Sequence, residues 1–267
     1  MTNVPFLFLA ALTRDVDDAG SPNQLNVTIN VNGIDVAVAE FVADHPEAQG
    51  YLRHAVAVVS FDLESLTNSS VRIGNRGDDA WAPEHILLFG ESLERGTVPI
   101  AMETDLTHWL SSDANEGALT LPLRLVGRLG FDTKIHRLLL LVRTADEDDA
   151  GTDSLVQLQI IKNGQLYVSQ VITDTPQDDM ERRVANWYFL PVQTPFSEQD
   201  LSIGVARMEL EILGSDKWKP ESIYVFGLDT PTGRPTQMVL LSVDKDFGFV
   251  LSRDPDEGIK SATLRSW

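Results

Sequence analysis

The sequence FLFLAALTRDVDDAGSPNQLNVTINVNG at residues 6–33 returns as RLLLLVRTADEDDAGTDSLVQLQIIKNG at residues 137–164. In both copies an apolar run leads into an acidic DDAG segment, and both copies end in Asn-Gly. The spacing is constant across the block, so that Asn32 matches Asn163. A repeat of this length indicates two similar domains rather than a solenoid of short units.

Two further blocks repeat in the same order. DDAWAPEHILLFG at 78–90 matches SDKWKPESIYVFG at 215–227, and HWLSSDANEG at 108–117 matches FVLSRDPDEG at 249–258. The spacing between the copies grows slightly from one block to the next, which places small insertions in loops of the second copy. The sequence therefore predicts two tandem domains related by internal duplication.

The local pattern within each copy is that of β-strands. In LNVTINV, starting at Leu25, apolar residues alternate with polar ones, a period that buries one face of a strand and leaves the other in water. The Asn-Gly pairs that follow are typical of tight hairpin turns. We therefore predict an all-β protein of two antiparallel β-sandwich domains, at residues 1–127 and 135–267.

The opening stretch VPFLFLAAL, residues 4–12, has the composition of a signal-peptide core but not its context. No basic residue precedes it, and its copy lies in the middle of the chain, where a signal peptide cannot function. We predict a β-strand here and no Sec-type signal, which favours a cytoplasmic or peripheral location. Export by a dedicated machine stays open.

Composition excludes several classes of function. The 40 acidic and 21 basic residues give a net charge of −19, which opposes binding to nucleic-acid phosphates. The chain has no cysteine, so disulfides and thiolate chemistry are excluded. No apolar run is long enough for a transmembrane helix. The sequence contains no nucleophile elbow, zinc-ligand spacing or phosphate-binding loop, and we expect a protein that is not an enzyme.

The repeated blocks resemble the PLAT/LH2 (lipoxygenase homology) family. DDAGTDSLVQLQI at 148–160 is similar to the family's opening block, and the two Trp-containing blocks and HWLSSDANEG are similar to its middle and closing blocks. The resemblance implies an eight-stranded sandwich of two four-stranded sheets in each domain. It also implies an accessory role, in which such domains contact lipid or protein beside lipoxygenase and lipase domains, often with calcium at one end of the sandwich.

The resemblance also implies a set of calcium ligands in the acidic loops. Carried over to this chain, the motif favours Gly151, Asp153 and Asp216, and clustering of carboxylates adds the following residues: Asp149, Asp174 and Asp178 in repeat 2, and Asp18, Asp78 and Asp79 in repeat 1. The site in repeat 1 is weaker because Pro22 stands where repeat 2 has Asp153. Alternatively, these residues are solvated carboxylates in loops whose Gly and Asp favour turns.

Trp81 and Trp218 each follow an acidic loop and precede a proline by two residues. One interpretation places them at the tip of each sandwich as exposed contacts for a membrane or a partner. The other makes them packing residues that close the end of each hydrophobic core.

The sequence thus leaves two hypotheses for function. The first is a binding module whose acidic tip makes a calcium-dependent contact with a lipid surface or another protein. The second is a structural or docking subunit of a larger assembly, with no role for calcium or lipid. The oligomeric state is left open.

Overall fold

The computed structural model describes residues 3–14, 16, 24–42, 50–62, 66, 69–76, 79–92, 96–172, 180–182, 184–203 and 206–264. The chain divides into two compact units, Met1–Arg128 and Leu129–Trp267, which we call unit 1 and unit 2. The sequence-predicted domains 1–127 and 135–267 fall within these units.

The elements named in the described residues of unit 1 are all β-strands. They are β1 (Asn3–Thr13), β2 (Gln24–Val31), β3 (Ile34–Val42), β4 (Gly50–Asp62), β5 (Ser69–Asn75), β6 (Pro83–Ser92), β7 (Gly96–Glu103), β8 (Thr120–Leu123) and the short β9 (Gly127–Arg128).

Unit 2 consists of strands and one short helix among its described residues. They are β10 (Lys134–Thr144), β11 (Val156–Lys162), β12 (Gln165–Ile172), β13 (Ala185–Ser197), α1 (Glu198–Ser202), β14 (Ala206–Ile212), β15 (Pro220–Leu228), β16 (Gln237–Asp244) and β17 (Ser261–Leu264). No helix in the described part of the chain is long and apolar enough to cross a membrane.

The two units have the same strand order. Unit 1 has sheets ordered β4-β1-β6-β7 and β3-β2-β5-β8, and within unit 2 the corresponding orders are β13-β10-β15-β16 and β12-β11-β14-β17. All pairs between neighbouring strands in these sheets are antiparallel. The prediction of an all-β fold built from antiparallel sandwiches is therefore confirmed.

The opening stretch of the chain forms β1, the strand predicted from its mid-chain copy, and β1 lies between β4 and β6. Its counterpart β10 lies between β13 and β15. From Leu138 to Val142 every residue of β10 is fully buried, whichever face of the sheet it occupies. A continuous apolar run is typical of strands that are buried on both faces.

The strands that follow have one buried face and one wet face. In β11 buried residues alternate with partly exposed ones from Val156 to Ile160, and β2 has the same pattern. The predicted hairpin turns are also present. Asn32 and Asn163 both have φ of 51°, and the glycine after each also has positive φ, as tight hairpins require.

Candidate functional site at the acidic end of unit 2

Three loops meet at one end of unit 2, at residues 145–155, 213–219 and 245–260, and we call this the acidic end. The amide of Leu213 donates to the carbonyl of Leu155 at 2.8 Å, and the amide of Lys219 donates to the carbonyl of Ala150 at 2.9 Å. The amide of Trp218 donates to the carbonyl of Leu251 at 2.8 Å. Loops far apart in sequence therefore form one surface.

Two of the predicted calcium ligands, Asp153 and Asp216, are brought together in this surface. The backbone amide of Asp153 donates to Oδ2 of Asp216 at 3.2 Å, and the amide of Asp216 donates to Oγ of Ser154 at 3.0 Å. Gly214 permits the approach, because a Cβ at that position would lie 2.1 Å from Oγ of Ser154. The carboxylate of Asp216 is therefore bound to the backbone of Asp153, and Ser154 binds the backbone of Asp216.

The acidic loop, residues 145–155 between β10 and β11, contains two more of the predicted positions, Asp149 and Gly151. Asp149 is exposed and has φ of 57°, a left-handed conformation that aspartate tolerates better than most residues. Gly151 lies against the segment that begins at Met180, because a Cβ on Gly151 would lie 3.2 Å from the carbonyl oxygen of Met180. Glycine thus allows the turn to pack closely on its neighbour.

Basic side chains pair with the remaining carboxylates of the acidic loop. Arg182 Nε donates to Oδ1 of Asp146 at 2.9 Å, and its Nη1 donates to Oδ1 of Asp148 at 2.6 Å. Lys219 Nζ forms an ion pair with Glu147. Basic side chains of the same chain therefore already neutralise part of the negative charge of the acidic loop.

The described residues do not complete a calcium site. Calcium takes six to eight oxygen ligands, and no group of three candidate metal-ligating side chains is assembled within the part of the chain that the structure describes. Asp216 also uses Oδ1 to accept the amide of Lys217 at 3.0 Å. Asp174 and Asp178, which the sequence adds to the site, lie outside the described residues.

The weaker site predicted in unit 1 is described only at Asp79. This residue is exposed, and its backbone carbonyl accepts a hydrogen bond from Nδ2 of Asn75 at 2.7 Å. Asp18 and Asp78 lie outside the described residues.

The structure corrects the interpretation of Trp81 and Trp218 as exposed contacts. Trp81 is 2% exposed and Trp218 is 0% exposed. Each indole N–H donates at 3.0 Å to a threonine hydroxyl at the end of the first strand of its unit, Thr13 and Thr144 respectively. Burial with a satisfied N–H fits the alternative, in which the tryptophans close the cores.

Instead, other apolar side chains face solvent at the acidic end of unit 2. Phe249 is 54% exposed, Leu155 is 44% exposed and Ile259 is 39% exposed. Phe249 and Ile259 lie on one loop, in which the amide of Ile259 donates to the carbonyl of Val250 at 3.0 Å, and Leu155 lies on the loop whose carbonyl accepts the amide of Leu213. The sequence alone does not indicate that these three side chains are exposed, because large apolar residues are more often buried than exposed.

Basic residues also distinguish this end of unit 2 from the matching end of unit 1. The three loops of the acidic end contain five basic residues, namely Lys217, Lys219, Lys245, Arg253 and Lys260. The repeated blocks and strand registers align them with uncharged residues of unit 1, namely Ala80, Ala82, Thr104, Ser112 and Leu119. The apolar residue Phe249 likewise aligns with His108. At these five positions unit 2 has a basic residue and unit 1 has none, whereas unit 1 has Arg14 and Arg76 where unit 2 has Ala145 and Leu213.

Comparisons with known proteins reach only part of the chain. No family model matches it. Over 96 residues it is 30% identical to phospholipase C of Clostridium haemolyticum, a match that covers 35% of this chain. The matched region spans about a quarter (24%) of the length of that relative. Among solved structures, alpha toxin from Clostridium absonum is similar with a TM-score of 0.36 and 21% identity, covering 50% of this chain and 32% of the toxin chain.

Proposed function

We propose that this chain is a non-enzymatic binding module of two duplicated PLAT-like sandwiches, and that the acidic end of unit 2 contacts a lipid surface. The observation that carries the proposal is the exposure of Phe249, Leu155 and Ile259 on neighbouring loops of that end. Apolar side chains at a loop tip gain free energy when they leave water for the interfacial region of a membrane.

The duplication is supported by matched details of the two units. Each has the same order of strands, and each repeats the hydrogen bond from a buried tryptophan to a threonine. The backbone bond from Arg14 to Ala82 has its counterpart in the bond from Ala145 to Lys219, both at 2.9 Å.

The net charge of the acidic end by itself opposes contact with headgroup phosphates, because its three loops contain ten acidic and five basic residues. Two of the five basic residues named above are already paired within the chain, Lys219 with Glu147 and Lys260 with Glu211. Lysine and arginine stabilise contact with anionic headgroups by about 1 kcal/mol each when they lie near the surface. The net charge of −19 opposes this attraction at longer range. We expect binding to depend on both the apolar groups and the local basic residues.

The calcium-dependent form of the proposal rests on Asp153 and Asp216. Bound calcium would bridge these carboxylates to lipid phosphate and offset the negative charge of the chain. Further oxygens would come from backbone carbonyls, water, and Asp174 and Asp178.

The curated relative adds support for lipid, since its name, phospholipase C, describes a protein that acts on phospholipid.

A second candidate is the docking subunit with no role for calcium or lipid. It is favoured by Arg182 and Lys219, which already pair with the carboxylates of the acidic loop.

Vesicle co-sedimentation tests the lipid proposal. We would compare phosphatidylcholine vesicles with vesicles that also contain phosphatidylserine, each with calcium and with a chelator. Binding that requires calcium supports the calcium-dependent form, and binding in chelator supports lipid contact through the apolar and basic groups alone. Failure to bind either vesicle under both conditions contradicts the lipid proposal and favours docking to a protein.

A further inference from the structure

The two Asn-Gly turns of the chain have the same backbone conformation but different surroundings. Asn32-Gly33 and Asn163-Gly164 are the only Asn-Gly pairs in the sequence, and all four residues are exposed. The φ angles are 51° and 85° in the first turn and 51° and 77° in the second. Differences in the chemistry of the two turns therefore come from the residues beside them.

In unit 1 a side chain holds the backbone amide of the turn glycine. The amide of Gly33 donates to Oδ1 of Asn30 at 2.9 Å. Asn30 is itself held, because its Nδ2 donates to Oδ1 of Asp35 at 2.8 Å. The same oxygen of Asp35 lies 3.9 Å from Nη2 of Arg72. Polar side chains on three neighbouring strands thus keep the acceptor in place beside the turn.

Unit 2 has different residues at all three of these positions. The repeated block and the strand registers give the following pairs: Asn30 with Ile161, Asp35 with Leu166, and Arg72 with Glu209. The side chain of Ile161 has no hydrogen-bond acceptor. The amide of Gly164 therefore cannot be held in the way that the amide of Gly33 is held.

This amide nitrogen is the nucleophile when an Asn-Gly sequence loses ammonia. After giving its proton to solvent, the nitrogen attacks Cγ of the preceding asparagine, and a cyclic imide forms while the side-chain nitrogen takes up a proton and leaves as ammonia. Water then adds to either carbonyl of the imide, which opens to aspartate or to isoaspartate. Glycine favours the reaction because it has no Cβ to hinder the approach. A hydrogen bond donated by the amide opposes it, because that bond must be broken before the proton is lost.

We propose that Asn163 is a site of spontaneous deamidation in the folded protein, and that Asn30 protects Asn32 from the same reaction. The only co-reactant is water. The product at residue 163 carries an added negative charge, and in the isoaspartate form its backbone is longer by one carbon. A tight turn with both φ angles fixed does not accommodate the longer backbone, so the end of the β11–β12 hairpin should open. The inference does not depend on lipid binding.

Peptide mapping by mass spectrometry tests the proposal on the full chain, aged in mildly alkaline buffer. The rate at each site is divided by the rate at the same site in guanidinium-unfolded protein, which removes the effect of the differing neighbours in sequence. We expect this corrected rate to be about fivefold higher at Asn163 than at Asn32. A factor of five corresponds to about 1 kcal/mol, the contribution of one hydrogen bond.

Exchanging the residues beside the two turns provides matched variants. Asn30→Ile gives unit 1 the residue of unit 2 and should raise the corrected rate at Asn32 about fivefold, with Asn163 unchanged. Ile161→Asn combined with Leu166→Asp builds the acceptor and its support into unit 2, and should slow the reaction at Asn163 by a similar factor. Melting temperatures show whether each variant is folded.

Two results would overturn the proposal. One is a corrected rate at Asn163 that is no higher than the rate at Asn32. The other is a rate at Asn32 that does not change in a folded Asn30→Ile variant. If that variant melts below the wild type, the double variant of unit 2 decides the matter, and an unchanged rate at Asn163 would then count against the role of the hydrogen bond.

Discussion

Replacing Phe249 by serine should weaken lipid binding strongly while leaving the sandwich folded. A phenylalanine side chain offers about 200 Å² of surface for burial. Phe249 is 54% exposed, so about 110 Å² are free to enter the lipid, worth about 2.7 kcal/mol at about 25 cal/mol per Å². That corresponds to a loss of roughly 50- to 100-fold in the partition constant, or about tenfold if half of the area inserts.

The assay is vesicle co-sedimentation of Phe249→Ser beside His108→Ser, its matched control in unit 1. The control removes an exposed ring at the equivalent loop position and should bind like the wild type. Phe249 also contacts the ring of Phe247, with centroids 5.9 Å apart, so the variant should lose up to about 1 kcal/mol of stability. If both variants bind vesicles within about twofold of the wild type, the acidic end of unit 2 is not the lipid contact.

Three further predictions concern calcium, an ion pair and pH. If calcium binds the chelator-stripped protein, it should raise Tm, by the equivalent of about 2.7 kcal/mol at about 100 times Kd, and Asp153→Ala should abolish the shift. Arg124→Ala should lower the free energy of unfolding by about 2 kcal/mol in a denaturant titration, with partial rescue by Arg124→Lys. The substitution removes the Arg124 guanidinium, which lies 2.7 Å from the carboxylate of Glu103, and the side chain of Glu103 is only 5% exposed. The hydrogen bond from Lys134 holds the pKa of Asp200 well below its usual range. That stabilisation is present above the unfolded pKa near 3.9 and is lost at lower pH. The difference in Tm between wild type and Asp200→Asn should therefore shrink below about pH 4, and a constant difference would contradict this.

Much of the fold could be predicted from the sequence because its signals are local. The alternation of apolar and polar residues in LNVTINV predicts a strand with one buried face, whatever that face packs against. In the structure, buried and partly exposed residues alternate along β2. Asn32 and Asn163 precede glycines that satisfy the φ requirement of tight hairpins. The mid-chain copy of the opening run identified β1 as a strand.

The candidate site could be predicted only in part. The resemblance to the PLAT/LH2 family led to Asp153 and Asp216, and the fold brings these residues together from loops far apart in sequence. Nothing in the sequence indicates that Arg182 pairs with Asp146, because that contact depends on how a distant segment folds back. A sequence motif identifies candidate residues. Which charged side chains pair with one another depends on the distances between loops in the folded chain.

The protein's strands, hairpins and repeated blocks are therefore properties of the sequence itself. Side-chain periodicity and turn stereochemistry act over a few residues and need no knowledge of the rest of the chain. Which aromatic residue faces water was decided by the tertiary structure: Trp218 is buried against Thr144, while Phe249 is exposed on a neighbouring loop. The physical reason is that a side chain's exposure depends on what packs around it, and at the end of a sandwich those neighbours come from loops far apart in sequence.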